Sequence, residues 1–332
     1  MDRDYSRIAS EFMRELRGGR SQIAFSRRLG YRTNVAYAWE SGRAYPTAAS
    51  ALLAAARSGI DVPDALTRFY RRQPAWLDRS KATSPAGVAA LLDDLRGRSS
   101  IVDLARSCDR NRFAVARWLR GQAEPRLPDF FLLIDRSSTR LLDWLSSFVN
   151  PSRLPSISRA WSALEEARRS AYDAPWTQAV LRCLELAEYR ALPRHLRGWI
   201  AAKVGISEAE EQQCLRLLHR TGQIFLRRGR WEIRQVMAID TRRDAAAELR
   251  VKRWWTEVAL GRLSNPDCGI FSYNVFAVSA TDLARINQLY RSYFAEMRAI
   301  IAKSEPSERV VLSCLQMVPL DADIGAEPPQ LR

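Results

Sequence analysis

The chain has 332 residues, of which 47% are hydrophobic and 27% charged, a globular composition long enough for two or three domains. Its 52 basic and 37 acidic residues leave a net charge of +15, an excess that suits a polyanionic partner and that small-molecule chemistry does not require. No apolar run approaches the roughly 20 residues of a membrane span, and the opening MDRDYSRIASEF has no apolar core of a secretory signal, so a cytoplasmic protein is expected.

In chain order, residues 1–77 read as closely spaced short helices. The polar stretch DRSKATSPA (78–86) reads as a linker, and 87–149 repeats the helical pattern. NPSRLPSIS (150–158) marks a second boundary. A module over 160–236 comes next, with helices expected at 176–190, 194–204 and 207–221. IFLRRGRWEI (Ile224 to Ile233) then reads as two short strands about a turn at Gly229. A helix is expected over about 241–263. FSYNVFAVS (271–279) and RVVLSCLQMVPL (309–320) alternate like strands, and 280–303 carries an amphipathic helical stripe. The expected architecture is mainly α, with a small α+β region over 237–320 that regulates or dimerises, and a loose tail over 321–332.

An internal repeat organises the first half. A shift of 79 residues places Trp39 on Trp118, Gly42 on Gly121 and Pro46 on Pro125, and apolar positions fall on apolar positions between them. In the first copy Ser21 can cap a helix opening at Gln22. Ser26 is small enough for close helix approach, Gly30 can turn the chain, Gly42 ends the next helix after Trp39-Glu40, and Pro46 starts the helix that follows at its first turn. On these residues the first copy resembles the helix-turn-helix domain of the XRE, or Cro/C1-repressor, family. The resemblance implies a recognition helix over 32–41 whose N-terminal part enters the major groove. Arg32, Thr33, Asn34 and Ala38 would face base edges, with Tyr37 close by. Asn34 suits adenine, and Arg32 suits guanine or a phosphate. Gln22 and Arg43 would contact phosphates.

The second copy departs from that pattern: Ile101 replaces the Gln, Asp109 the turn Gly, and Leu119 the Glu. Its corresponding surface is still basic, with Arg110, Asn111, Arg112, Arg117 and Arg120. Phe113 can pack or meet a thymine methyl. The copy reads either as a second DNA reader or as a structural or dimerising module. Two tandem copies could imitate a two-fold repressor dimer, each on a half-site about one helical turn apart.

Residues 174–234 resemble a winged helix, with Ser207 and Glu210 at capping-box spacing. The wing tip carries Arg227, Arg228 and Arg230 as phosphate or minor-groove contacts. Glu208, Glu210 and Glu211 would repel phosphate, so this module reads as mainly structural. Residues from about 160 to 320 resemble a C-terminal domain of unknown function, joined to helix-turn-helix regulators in a bacterial family. That resemblance implies regulation.

Phosphate loops, nucleophile elbows and H-E-x-x-H are absent from the sequence, so neither enzyme activity nor a cofactor is expected. The five cysteines stand singly and read as reduced thiols. Cys183, Cys214 and Cys314 read as buried fillers and Cys268 as the exposed one. Trp254 and Trp255 read as core or an interface, and Phe271, Tyr273 and Phe276 as core or the lining of an effector pocket. The expected function is sequence-specific double-stranded DNA binding by a transcriptional regulator, a repressor or autoregulator, acting as a homodimer with an effector or protein partner. The alternative is a protein-interaction or controller component whose nucleic-acid binding is non-specific.

Overall fold

The computed structural model describes residues 3–97, 99–234, 241, 244–264, 269–301 and 304–321. Short polar side chains open the first helices by accepting orphan backbone N–H groups. Asp4 caps α1 (Tyr5–Arg17), Ser21 caps α2 (Gln22–Arg28) and Asn34 caps α3 (Val35–Glu40). Thr47 caps α4 (Ala48–Arg57) and Asp61 caps α5 (Val62–Tyr70). Ser84, Ser100 and Asn111 do the same for α6 (Pro85–Arg96), α7 (Ile101–Ser107) and α8 (Arg112–Leu119), and α9 (Leu127–Ser138) and α10 (Leu141–Phe148) complete the repeat.

Adding 79 to the bounds of α1–α5 reproduces those of α6–α10 to within two residues. The repeat therefore extends back through α1, and the stretch expected as a linker supplies both the cap and the first turn of α6. Gly87 explains part of that junction. A Cβ there would collide with the Lys81 carbonyl oxygen, so only glycine lets α6 pass so close.

The two repeats share one hydrophobic core. They meet about an approximate two-fold relation that is visible in the backbone. Ala48 N–H donates to the Pro125 carbonyl at 3.0 Å, and its counterpart Leu127 N–H donates to the Pro46 carbonyl at 2.9 Å. Thr47 and Arg126, 79 residues apart, form the antiparallel bridge between these bonds. α5 packs on α10, α1 on α9, and α6 on α4. Phe12 of α1 meets Phe131 edge-on at 5.5 Å and Trp144 at 5.9 Å, a geometry favoured by ring quadrupoles.

The next segment comprises α11 (Ser158–Asp173), α12 (Trp176–Glu185), α13 (Ala187–Arg190), α14 (Trp199–Val204) and α15 (Glu208–Arg220). β1 (Ile224–Arg227) and β2 (Arg230–Ile233) then form an antiparallel hairpin, Ile224 opposite Ile233. α12, α14, α15 and the hairpin close a second core around Val180, Tyr189, Ile200, Leu218 and Ile224. α11 touches both parts: Trp161 and Leu164 enter the first core, and the helix packs on α12 and α15. Its buried Arg168 pairs with Asp143 of α10, tying the repeats to the second core.

α16 (Ala245–Arg262) and α17 (Ala280–Ile301) complete the described helices. Trp254 and Trp255 pack edge-on against Trp176 at 4.9 and 5.6 Å, so they serve as the interface expected of them. The expected strands do not form: among the described residues the hairpin is the sole sheet, and 271–279 and 309–320 form neither a ladder nor a helix. Alternation makes a strand only where a neighbour completes its hydrogen bonds. Here 307–316 runs beside helices instead. The Ser307 carbonyl accepts from Ala187 N–H, and Gln316 reaches Thr256 at 3.2 Å. Phe271, Tyr273 and Phe276, expected in a core or as the lining of an effector pocket, are exposed and so enter no core. Cys314, expected to be buried, is also exposed, whereas Cys183 and Cys214 are buried. Cys268 lies outside the described residues.

Candidate nucleic-acid interface

α3 is held by its inner face. Ala36 and Trp39 are buried, Tyr31 meets the Trp39 ring edge-on at 5.5 Å, and Gly30 turns the chain from α2 at φ +84°. Glu40, 7% exposed, is the anchor. Arg17 at the end of α1 donates to it through Nε at 2.6 Å and a second nitrogen at 3.2 Å, and Gln22 donates through Nε2 at 3.0 Å. The fork-to-carboxylate geometry fixes direction as well as charge. The hydrogen bond to Glu40 raises the Arg17 pKa. Gln22, expected on a phosphate, is thus committed to Glu40. Glu40 lies 18 and 23 residues from its partners, and its role was not apparent in the sequence.

The outer face carries the expected contact residues in altered roles. Arg32 and Thr33 are exposed just before the helix, Ala38 is half-buried, and Tyr37 is exposed with the Arg43 guanidinium 5.1 Å from its ring centre. Asn34 is the cap. Its Oδ1 accepts from Tyr37 N–H at 3.3 Å and lies 3.3 Å from the Ser26 hydroxyl, which itself accepts from Ala36 N–H. An adenine needs both ends of a carboxamide, and here one end is occupied by the backbone, so bidentate reading by Asn34 does not fit this geometry.

The second repeat sets α8 in the matching place. Asp109 takes φ +49° where the first repeat has Gly30, a conformation Asp tolerates better than most residues. Asn111 caps α8 by accepting from Phe113 N–H. Arg110 is drawn back onto Asp129 of α9 at 2.8 Å, away from its expected outward role. Arg112 covers the Phe113 ring at 4.7 Å, Phe113 is 63% exposed, and Arg117 and Arg120 are exposed. The acidic anchor is missing: Ile101 and Leu119 stand at the positions of Gln22 and Glu40 and pack partly buried on the core.

In the hairpin, Arg228 and Gly229 both take positive φ, +50° and +78°, the backbone of a two-residue turn that matches strand twist. Arg228 is exposed at the tip. Arg230, expected on nucleic acid, instead donates to the carbonyls of Arg190 and Leu192 and pairs with Glu232, and Arg227 lies 3.5 Å from Glu232. The acidic helix start is also accounted for internally. Glu210 completes the capping box on Ser207, whose hydrogen bonds lower its pKa. Glu208 pairs with Arg197. Glu211, fully buried, accepts from Gly198 and Ala201 N–H at 3.0 and 2.6 Å and so caps α14. His195 Nε2 lies 3.4 Å from Glu211, its Nδ1 meets the Tyr189 hydroxyl at 3.2 Å, and that hydroxyl accepts from Trp231 of β2. Burial lowers the His195 pKa and pushes Tyr189 up to about 12.

Among the described residues no group of three His, Cys, Asp or Glu side chains is placed to hold a metal ion, and no helix is long and apolar enough to cross a membrane. Residues 157–320 match the model of a family described as a domain of unknown function, DUF4423. The match starts at the residue before α11 and agrees with the C-terminal domain of unknown function expected from the sequence. No helix-turn-helix family model matches. No curated protein and no solved structure matches the chain.

Proposed function

We propose that the chain is a sequence-specific double-stranded DNA-binding transcriptional regulator whose first repeat is a helix-turn-helix domain with α3 as its recognition helix. One observation carries this reading. α3 is locked from inside by Trp39 and the Arg17–Glu40–Gln22 network, while Arg32, Thr33 and Tyr37 face outward and Arg43 flanks them. A helix pinned on one face, exposed on the other and flanked by an arginine at each end suits insertion into a major groove. The DUF4423 part, with its winged-helix-like hairpin module, would receive the signal, and α11 joins it to the repeats.

The test is fluorescence anisotropy with variants. Arg32→Ala is expected to reduce discrimination between a selected duplex and random DNA by about 1–3 kcal/mol. Arg43→Ala is expected to weaken both duplexes alike and to lower the salt slope by about one counterion. Equal losses on both duplexes for Arg32→Ala would refute α3 as the reader.

A further inference from the structure

We propose that a single chain supplies both readers of its operator, and that the two half-sites differ in sequence because α3 and α8 present different chemistry. This two-part operator presupposes the duplex-reading function proposed above.

The reciprocal bonds at Thr47 and Arg126 place the repeats in the relation that two subunits of a two-fold dimer would have. The core shows that each repeat is built for the other and not for a copy of itself. Ala48, Ala51, Ala55 and Ala65 of the first repeat correspond, 79 residues on, to Leu127, Phe130, Ile134 and Trp144 of the second, and all eight are buried in one cluster. Small side chains on one side leave the room that large ones on the other fill. Two second repeats would crowd bulky groups about the axis, and two first repeats would leave voids; either costs stability. A tandem repeat joined in this way needs no second chain to set two recognition helices about one axis.

The readers differ position by position. Arg32, Thr33, Tyr37 and Ala38 of the first correspond to Asn111, Arg112, Ala116 and Arg117 of the second. Asn34 corresponds to Phe113, which stands 63% exposed beside Arg112. An exposed apolar ring at the start of a recognition helix finds its partner in the thymine C5-methyl, and Arg117 suits guanine. Burying Phe113 against a base also removes from water an aromatic that is 63% exposed despite the Arg112 guanidinium over its ring.

The experiment starts by selecting duplexes from a randomised library with the full-length protein. Binding of wild type, Arg32→Ala, Phe113→Ala and Arg117→Ala is then measured across all single-base changes of the selected site. All three side chains lie at the surface, and thermal melts check that each variant is folded. The expected result is a polarised loss. Arg32→Ala flattens base preference in one half of the site by roughly 5- to 100-fold, and Phe113→Ala and Arg117→Ala flatten it in the other half, thymine preference disappearing with Phe113. Each variant affecting both halves equally would mean two chains using the same reader, and would overturn the proposal while leaving DNA reading intact. No effect of the α8 variants would reduce the second repeat to a scaffold, with the same consequence. Failure to enrich any duplex would remove the DNA-reading function itself, and the two-half-site operator with it.

Discussion

At the scale of single residues, the cap at Asn34 engages the oxygen that base reading was expected to use. Replacing Asn34 by Asp keeps an oxygen that accepts from Tyr37 N–H but adds a negative charge to the surface proposed to meet DNA. Asn34→Asp is therefore expected to keep its melting temperature within a few degrees while losing affinity for all DNA. Asn34→Ala loses the cap and costs about 1 kcal/mol of stability. Paired thermal melts and anisotropy titrations separate the two effects. Glu40 has the opposite character, since its work is internal. Glu40→Ala leaves Arg17 and Gln22 without their acceptor in a half-buried site, an expected loss of about 2–3 kcal/mol in denaturant unfolding. At Asp109, which holds a left-handed conformation, Asp109→Gly is expected to stabilise by up to about 1 kcal/mol. The cap at Ser21, the turn at Gly30 and the helix end at Gly42 were legible in the sequence because they depend on neighbours a few residues away. The fate of Gln22, Arg110 and Arg230 was not, because their partners lie 18, 19 and about 40 residues distant.

At the scale of elements, most helices and the Arg228–Gly229 hairpin obey local rules, and the sequence placed them within a few residues, although the helix expected over 194–204 starts only at Trp199, after the left-handed Gly198. Two further failures have physical causes. The helix expected over 176–190 divides at Leu186, whose ψ of 136° breaks the helical path between α12 and α13. The segments 271–279 and 309–320 have a strand period but no neighbouring strand, and period alone does not supply one. Two element junctions are open to test. Gly87→Ala would press a methyl into the Lys81 carbonyl and is expected to cost about 1–3 kcal/mol, read as a lower denaturant midpoint with unchanged slope. The joint between hairpin and helices is expected to weaken at low pH through His195, which Glu211 and Tyr189 flank. Burial lowers its pKa in the folded chain, so the unfolded chain binds the extra proton first. Stability is then full above the unfolded value of about 6.5 and falls as pH drops through it, until the folded value is passed. Melting curves of wild type should shift downward between pH 7.5 and 5.5 by more than those of His195→Gln.

At the scale of the whole molecule, the repeat was legible from Trp39 and Trp118, Gly42 and Gly121, and Pro46 and Pro125, but the pairing of its copies was not. A 79-residue shift says that two modules are alike. It does not say that Ala65 and Trp144 occupy one core, because that depends on volumes brought together over long separations. The pairing sets α3 and α8 about an internal two-fold; under the proposed function, one chain would then carry both reading helices. If the proposed function holds, the +15 charge of the chain implies that affinity for DNA falls steeply with salt. The most direct measurement titrates the full-length protein by fluorescence anisotropy on duplex DNA flanking its own gene, against a shuffled duplex of equal composition, at two salt concentrations. Tighter binding to the native duplex is expected, with the preference retained at the higher salt. Equal binding to both duplexes that vanishes with salt would contradict specific reading, leaving the charge as a non-specific attraction and the repeats as a surface for another partner.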